Sequence, residues 1–359
     1  MKRNLNEMKI GRMLVAGLVC GTLLLTSCGK DISTDEFVMN SPESTTETET
    51  DKENNEPPAE IGTGTVSHGV NWAKNEKDYS FTYEGGVLEI PYSMTGTGIG
   101  TCQGFLVYVN GIPQPYMIKD TEEEYKYMHI IEGDENQEVN FTISFIPVTG
   151  KAGDKLKLYV CSITNPSFIP DRVNTFQYGH SHKSLESVTD ITFQKNAEKM
   201  PKVNDSLCIL KKVRNQRVEI DKKEKKYITD TMTLETPDLD TEVYEYLKID
   251  GKSVRMDTEA DISGKDKVHV SYLMMGHPGV KYRVNFYLNH QLLTDESGEV
   301  YELELSTGKM NTLEFDMDVS KVTNASFYAV AVPVNPEDYP DDFIVTEKHP
   351  SINLYRGED

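Results

Sequence analysis

Along most of the chain, apolar and polar residues alternate singly, in short runs broken by Gly, Asn, Asp and Pro. One such run is GFLVYVNGIPQ, from Gly104 to Gln114; another, RVNFYLNHQLL, covers Arg283 to Leu293. Alternation with a period of two marks a strand with one face buried. Stretches of helical periodicity are few, which predicts a mainly β, antiparallel protein. In the first run Phe105, Val107 and Val109 share one face, and Leu106 and Tyr108 share the other. Asn110-Gly111 predicts a tight hairpin, because both residues tolerate positive backbone angles. Asn289-His290 accepts such angles less easily, so its turn is free to differ.

The two runs belong to a longer internal repeat. GGVLEIPYSMTGTG, Gly85 to Gly98, corresponds to KDKVHVSYLMMGHP, Lys265 to Pro278, with Tyr92 on Tyr272, Met94 on Met274 and Gly96 on Gly276. Tyr108 then falls on Tyr287 and Asn110 on Asn289. NFTISFIPV from Asn140 corresponds to NTLEFDMDV from Asn311, and LKLYVCSITNP, ending at Pro166, to SFYAVAVPVNP, ending at Pro336. Recurrence of these blocks in one order predicts duplication of a β domain. A single sheet cannot bury its apolar face alone, so each copy needs a second sheet. The expectation is two tandem antiparallel β-sandwich domains, immunoglobulin-like or related, with a jelly roll also open. The Cys…Trp…Cys pattern of true immunoglobulin domains is missing, since the only Trp, Trp72, precedes the first repeated block. The boundaries are set at 61–202 for the first sandwich and 203–345 for the second, with the break near Lys202. Residues 346–359 are set apart as a C-terminal tail, to add an edge contact or fray.

The first thirty residues follow a different pattern. Lys2, Arg3, Lys9 and Arg12 form a basic head, and Met13 to Leu25 is almost wholly apolar. That order of charge and apolar core is a secretion signal. The apolar run is shorter than the roughly 20 residues that span a bilayer core. It ends in Leu25-Thr26-Ser27-Cys28, which resembles the lipobox of bacterial lipoproteins. That resemblance implies cleavage of residues 1–27, lipid on Cys28, and an extracytoplasmic chain anchored to the cell membrane or an outer membrane. After Cys28, Ser, Thr, Glu, Asp, Asn and Pro dominate from Ser41 to Glu60 without periodicity, and such composition cannot bury enough apolar surface to order residues 28–60. They read as an acidic, disordered tether.

Charge narrows the possible partners. The formal net charge is −21, spread along the chain, with no basic stripe, which argues against nucleic acid. Of five cysteines, Cys20 leaves with the signal and Cys28 takes the lipid, so Cys102, Cys161 and Cys208 remain. Their spacing fits no metal or redox motif; buried free thiols are the expectation, with a Cys102–Cys161 disulfide as the alternative.

Catalytic motifs are weak. His180 and His182 have a His-x-His spacing that on an extended chain places both rings on one side, with Glu186 as the best third ligand. Glu122, Glu123 and Glu124 lie in a polar break and read as solvated turn residues, and His277 reads as a turn residue beside Pro278 and Gly279. TGTGIG, Thr95 to Gly100, lacks the spacing and following helix of a nucleotide loop, and no cofactor is implied. The chain also lacks the strand–helix alternation of a solute-binding protein. Tyr108 and Tyr287, on the strand face opposite the inferred core, are candidate ligand contacts; the other reading has them fill the edge of the sandwich or the contact between domains. The expected function is non-enzymatic: binding of a surface glycan, polymer or protein, or a structural role. The alternative is a carbohydrate-active hydrolase using a carboxylate pair.

Overall fold

A computed structural model describes residues 64–357, except 74–77, 122–123, 168–182, 200–202, 204, 221, 224–225, 227–237, 255–258 and 299. The signal, Cys28, the tether, His180, His182 and the boundary at Lys202 lie outside the described residues.

The protein is mainly β, two sandwiches in tandem, built from four sheets. In the first sandwich the outer sheet has the order β1 (Gly64–Val70), β3 (Leu88–Gly98), β8 (Val139–Phe145), β6 (Met117–Ile118). Its inner sheet runs β2 (Ser80–Tyr83), β10 (Lys183–Phe193), β9 (Lys155–Thr164), β4 (Cys102–Val109), β5 (Ile112–Pro113), with β7 (Met128–Glu132) also on β4. In the second sandwich the inner sheet runs β11 (Ser206–Cys208), β18 (Gln291–Thr294), β17 (Lys281–Leu288), β21 (Asn324–Pro333), β23 (Ile352–Tyr355), β15 (Glu259–Asp261). β19 (Tyr301–Glu304) and β22 (Glu347–Lys348) add to β17 and β21. The outer sheet is β12 (Leu210–Glu219), β20 (Lys309–Asp318), β16 (Lys267–Gly276), β13 (Val243–Ile249), β14 (Lys252–Val254).

Period-two alternation is what closes each sandwich. Along β3, Leu88, Ile90, Tyr92 and Met94 are buried, and they meet Phe105, Val107 and Val109 of β4 in one core. In the second copy Val268, Val270, Tyr272 and Met274 of β16 meet Val284, Phe286 and Leu288 of β17. The buried face of β4 is the one assigned from the pattern, and the repeat pairs correspond strand for strand: β3 pairs β8 as β16 pairs β20, and β4 pairs β9 as β17 pairs β21.

Three expectations are corrected. The third and fourth repeat blocks are each one residue out of the sequence alignment. Tyr92 lies opposite Phe141 as Tyr272 lies opposite Leu313, and Tyr108 lies opposite Tyr159 as Tyr287 lies opposite Tyr328. A one-residue slip turns a strand over, so Tyr159 and Tyr328 share a face that the sequence alignment separated. The turn at Asn289-His290 has not drifted: Asn110 and Gly111 have φ of 50° and 73°, and Asn289 and His290 have 47° and 67°. His290 is held there by two hydrogen bonds: Nε2 donates to the Pro166 carbonyl at 2.6 Å, and Nδ1 accepts from the Tyr328 hydroxyl at 2.9 Å.

The third correction concerns residues 346–359. They are not a tail, because β23 lies inside its sheet, antiparallel to β21 and parallel to β15. Ile352 and Leu354 are fully buried in the second core. β23 is the counterpart of β10, which runs antiparallel to β9 and parallel to β2. A sandwich ended at residue 345 would leave that apolar edge open to water. Cys102, Cys161 and Cys208 are free as expected, but only Cys161 is buried; Cys102 is half-buried and Cys208 is exposed.

Candidate functional site

The face of β4 that carries Leu106 and Tyr108 is covered by the second sandwich. Leu106, Tyr108, Tyr159, Cys161 and Ile163 pack with Tyr287, Tyr328, Val330 and Val332 in one apolar cluster. The two inner sheets therefore lie face to face, and both sandwiches belong to one compact unit. Burying one large side chain contributes about 1.5–3 kcal/mol, so a handful of these contacts offsets the freedom that two linked domains lose on docking.

Tyr108 is 0% and Tyr287 1% exposed, which removes them as ligand contacts and places them in the contact between domains. Their hydroxyls are 2.9 Å apart. Tyr287 stacks on Tyr328 with centroids 5.2 Å apart and planes 16° from parallel. Burial, reinforced by neighbouring phenols, pushes the Tyr108 hydroxyl well above the usual tyrosine range, so it stays a neutral donor and acceptor. Polar contacts ring this apolar centre. Arg283 Nη1 donates to the Asn110 carbonyl at 2.7 Å, Asn285 Nδ2 to the Gly111 carbonyl at 3.2 Å, and the Thr346 amide to Glu186 Oε2 at 3.0 Å. Glu186, proposed above as a third metal ligand, thus holds the seam. No group of three His, Cys, Asp or Glu among the described residues is arranged to take a metal ion.

A buried acid–lysine group lies beside the seam. Burial holds the Glu245 carboxyl well above the usual carboxylate range, with Glu347 raising it further and Lys348 pulling it down. Burial brings the Lys348 ammonium down to about 7, against the pull of Glu245. Lys348 Nζ donates to the His349 carbonyl at 3.2 Å and Ser351 Oγ at 3.1 Å, and lies 4.2 Å from the Tyr328 ring centroid. A lysine poised near neutrality is a competent nucleophile where a substrate reaches it. None of the cavities lined by described residues below includes Glu245, Glu347 or Lys348.

A second arrangement has the order of a catalytic triad. His68 Nε2 is 2.8 Å from Ser162 Oγ, and His68 Nδ1 is 2.7 Å from the Tyr92 hydroxyl. Ser162 and Tyr92 are both fully buried, and the Leu185 amide also donates to Ser162 Oγ at 3.2 Å. The serine has no route to a substrate, so the line ties β1 to β3 and β9. Burial lowers the His68 imidazole to about 4, opposed by the Leu185 backbone, so it is neutral at pH 7.

Open spaces are shallow. A cavity of about 400 Å³ lies between Leu207, Gln291 and Thr323 at one end of the second sandwich. Another of about 330 Å³ opens on the seam between Lys126, Asp205 and His290. Further hollows of about 330 and 370 Å³ flank Asp316 and Tyr355. Among the described residues, no helix is long and apolar enough to cross a membrane.

Sequence reasoning located Tyr108 and Tyr287 but missed Tyr159, Tyr328, Lys348 and the grouping of Trp72 with Tyr79 and Phe81. The paired tyrosines had a signal, the one-residue realignment of the fourth block. Lys348 had none, since it lay in a segment set apart from the fold.

The chain matches no known family profile and no curated protein. Among solved structures, a Corynebacterium diphtheriae protein described as membrane anchored aligns at 9% identity and TM-score 0.21, over 82% of this chain and 59% of its own. The C-terminal domain of the Streptococcus agalactiae AgI/II polypeptide BspA aligns at 10% identity and TM-score 0.19, over 82% of this chain and 100% of its own. A protein of unknown function from Porphyromonas gingivalis aligns at 8% identity and TM-score 0.20, over 81% and 99%. Likenesses this distant carry no argument about function, which rests on the residues.

Proposed function

We propose that this chain is a lipid-anchored, extracytoplasmic envelope protein that binds a surface polymer, glycan or protein without catalysing a reaction. Cys28 carries the lipid, residues 28–60 act as the spacer, and the paired sandwiches form one fixed binding unit. The observation that carries the reading is Leu25-Thr26-Ser27-Cys28 closing a basic-then-apolar leader. Several acyl chains on one cysteine give stable attachment where one gives reversible binding. The seam supports the binding role: sheets locked face to face present their outer surfaces at a constant spacing, which suits an extended ligand.

The test is metabolic labelling of the full chain in a bacterial host with an alkyne fatty acid, followed by membrane fractionation. The wild-type chain is expected to take the label and sediment with membranes, and Cys28→Ala to lose both. A Cys28→Ala chain that keeps label and membrane association removes the anchor from the proposal.

A further inference from the structure

The outer sheet of the first sandwich has an unusual outward face. Thr65 stands beside Thr97, Ser67 beside Thr95, and Ser93 beside Asn140. Gly69, Pro91 and Thr142 take further outward positions, while Glu89 and the buried Ser144 lie at the end toward β6, where Met117 stands beside Ser144. Charged residues make up 26% of the chain, yet here they stand at the rim, as the Glu89–Lys119 pair at 2.8 Å and Glu135 on the Gly98 amide at 3.0 Å. Short hydroxyls and amides are locked to each other across the strands. Thr65 Oγ1 is 3.0 Å from Thr97 Oγ1, Ser93 Oγ donates to Asn71 Oδ1 at 2.8 Å, and Asn71 Nδ2 donates to Asn140 Oδ1 at 2.6 Å. Beyond Gly69 Cα the space is open.

An aromatic group adjoins one corner. Trp72 follows Asn71 and stacks on Phe81 with centroids 4.8 Å apart; Tyr79 meets Trp72 edge-on at 5.7 Å. Tyr79 is 54% exposed and has φ of 45°, which a bulky side chain rarely adopts without compensation. Its carbonyl accepts a bond from Thr189 Oγ1 at 2.7 Å, which fixes the strained turn and the ring with it. Among the described positive-φ residues that are not glycine, Tyr79 is the one that carries a large exposed aromatic ring, which it holds in a fixed position.

We infer that this face and its Trp72–Tyr79 corner bind a neutral polysaccharide chain. The inference rests on the binding role proposed above and gives that role a location and a ligand chemistry. Fixed hydroxyl and amide groups exchange water for sugar hydroxyls at little entropic cost, and aromatic rings take the apolar faces of sugar rings. A chain of net charge −21 repels polyanions, and an uncharged face offers nothing to reward their approach. An open sheet face accommodates an extended polymer, whereas a small solute needs a concave pocket.

The experiment uses the full-length lipidated chain in liposomes, with fluorescein-labelled dextran, hydroxyethylcellulose and polygalacturonate as probes. Retention of at least one neutral polymer is expected, with polygalacturonate at least tenfold weaker. Thr95→Glu and Trp72→Ala should each reduce neutral-polymer retention at least tenfold, and Lys309→Ala, on the second sandwich, should not. Melting midpoints check that each variant is folded; Ser67→Glu, which places a charge on the neighbouring strand, replaces Thr95→Glu if that variant melts early. Retention of neither neutral polymer, or retention unchanged in the folded variants, overturns the inference. Fatty-acid labelling at Cys28 in the same preparations reads the anchor separately, so loss of polymer binding with the label intact removes this surface alone.

Discussion

The hydroxyl of Tyr108 lies 2.9 Å from that of Tyr287, joining residues at the same place in the two copies of the repeat. One donates and the other accepts, so neither can be removed alone without stranding its partner. Tyr108→Phe and Tyr287→Phe should each cost about 1–3 kcal/mol, the penalty of a buried unpaired hydroxyl. The double variant should cost less than the sum of the singles. Urea midpoints of the four proteins check this, and strict additivity would show that the contact is not formed in solution.

A seam of this kind makes the sandwiches one folding unit. Leu354→Ala, in the fully buried core of the second sandwich, should cost about 2–5 kcal/mol. Fluorescence of Trp72, the chain's only tryptophan, reports on the first sandwich. Its unfolding midpoint should fall together with the circular-dichroism midpoint. A Trp72 transition that stays in place would mean the halves unfold independently.

Gly111 tests the hairpin that touches the second sandwich. Its φ is 73°, and an added Cβ would come within 2.8 Å of Arg283 Cβ. Gly264 has a comparable φ of 66° with open space around it. Gly264→Ala should cost about 1 kcal/mol for the backbone alone, and Gly111→Ala about 1–3 kcal/mol more for the crowded seam. Equal costs in thermal unfolding would show that the hairpin is not pressed against Arg283.

Acid should weaken the fold in two overlapping windows. Burial lowers His68 and His290 to about 4 and His349 to about 3. Between the unfolded value near 6.5 and these folded values, the unfolded chain binds more protons, so stability falls as pH falls. The melting temperature should drop from pH 6.5 to pH 4, and His290→Gln should flatten part of that slope. An unchanged slope would mean that His290 is not buried neutral.

The second window belongs to Asp316, held at about 2 chiefly by Lys212, with His269 and Lys267 adding to it. All three nitrogens lie 3.2 Å from its carboxylate, whose side chain is 18% exposed. A lowered carboxyl contributes above its unfolded value near 3.9 and loses that contribution as pH falls toward 2. After solvent screening, Asp316→Asn should cost about 1 kcal/mol at pH 7. The difference from wild type should close near pH 2 and shrink in high salt; a difference independent of both would rule out the charge cluster.

The faces of the strands were legible because period two allows only two answers, and Phe105, Val107 and Val109 took the apolar one. What covers a face is a long-range fact. Nothing local distinguishes Tyr108 packed against a second sheet from Tyr108 open to a ligand. The register of the fourth block failed for a related reason, since the Pro166 and Pro336 anchors lie beyond the strands they were used to align. Residues 346–359 were set apart because the repeat was matched through four blocks only, although Ile352 and Leu354 carry the same alternation as Ile191 and Phe193 of β10. The neutral outer face was visible as Ser, Thr and Asn on alternate positions, but only the sheet register sets those positions side by side.

The interior place of β23 also sets an order in time. Its neighbours β21 and β15 are made earlier, yet they remain unjoined until synthesis has passed Tyr355. A ribosome stalled before that point would release a product whose second core is open along a whole strand. Proteolytic quality control would meet such a product as exposed sheet edge, and only a chain carried through β23 would escape it.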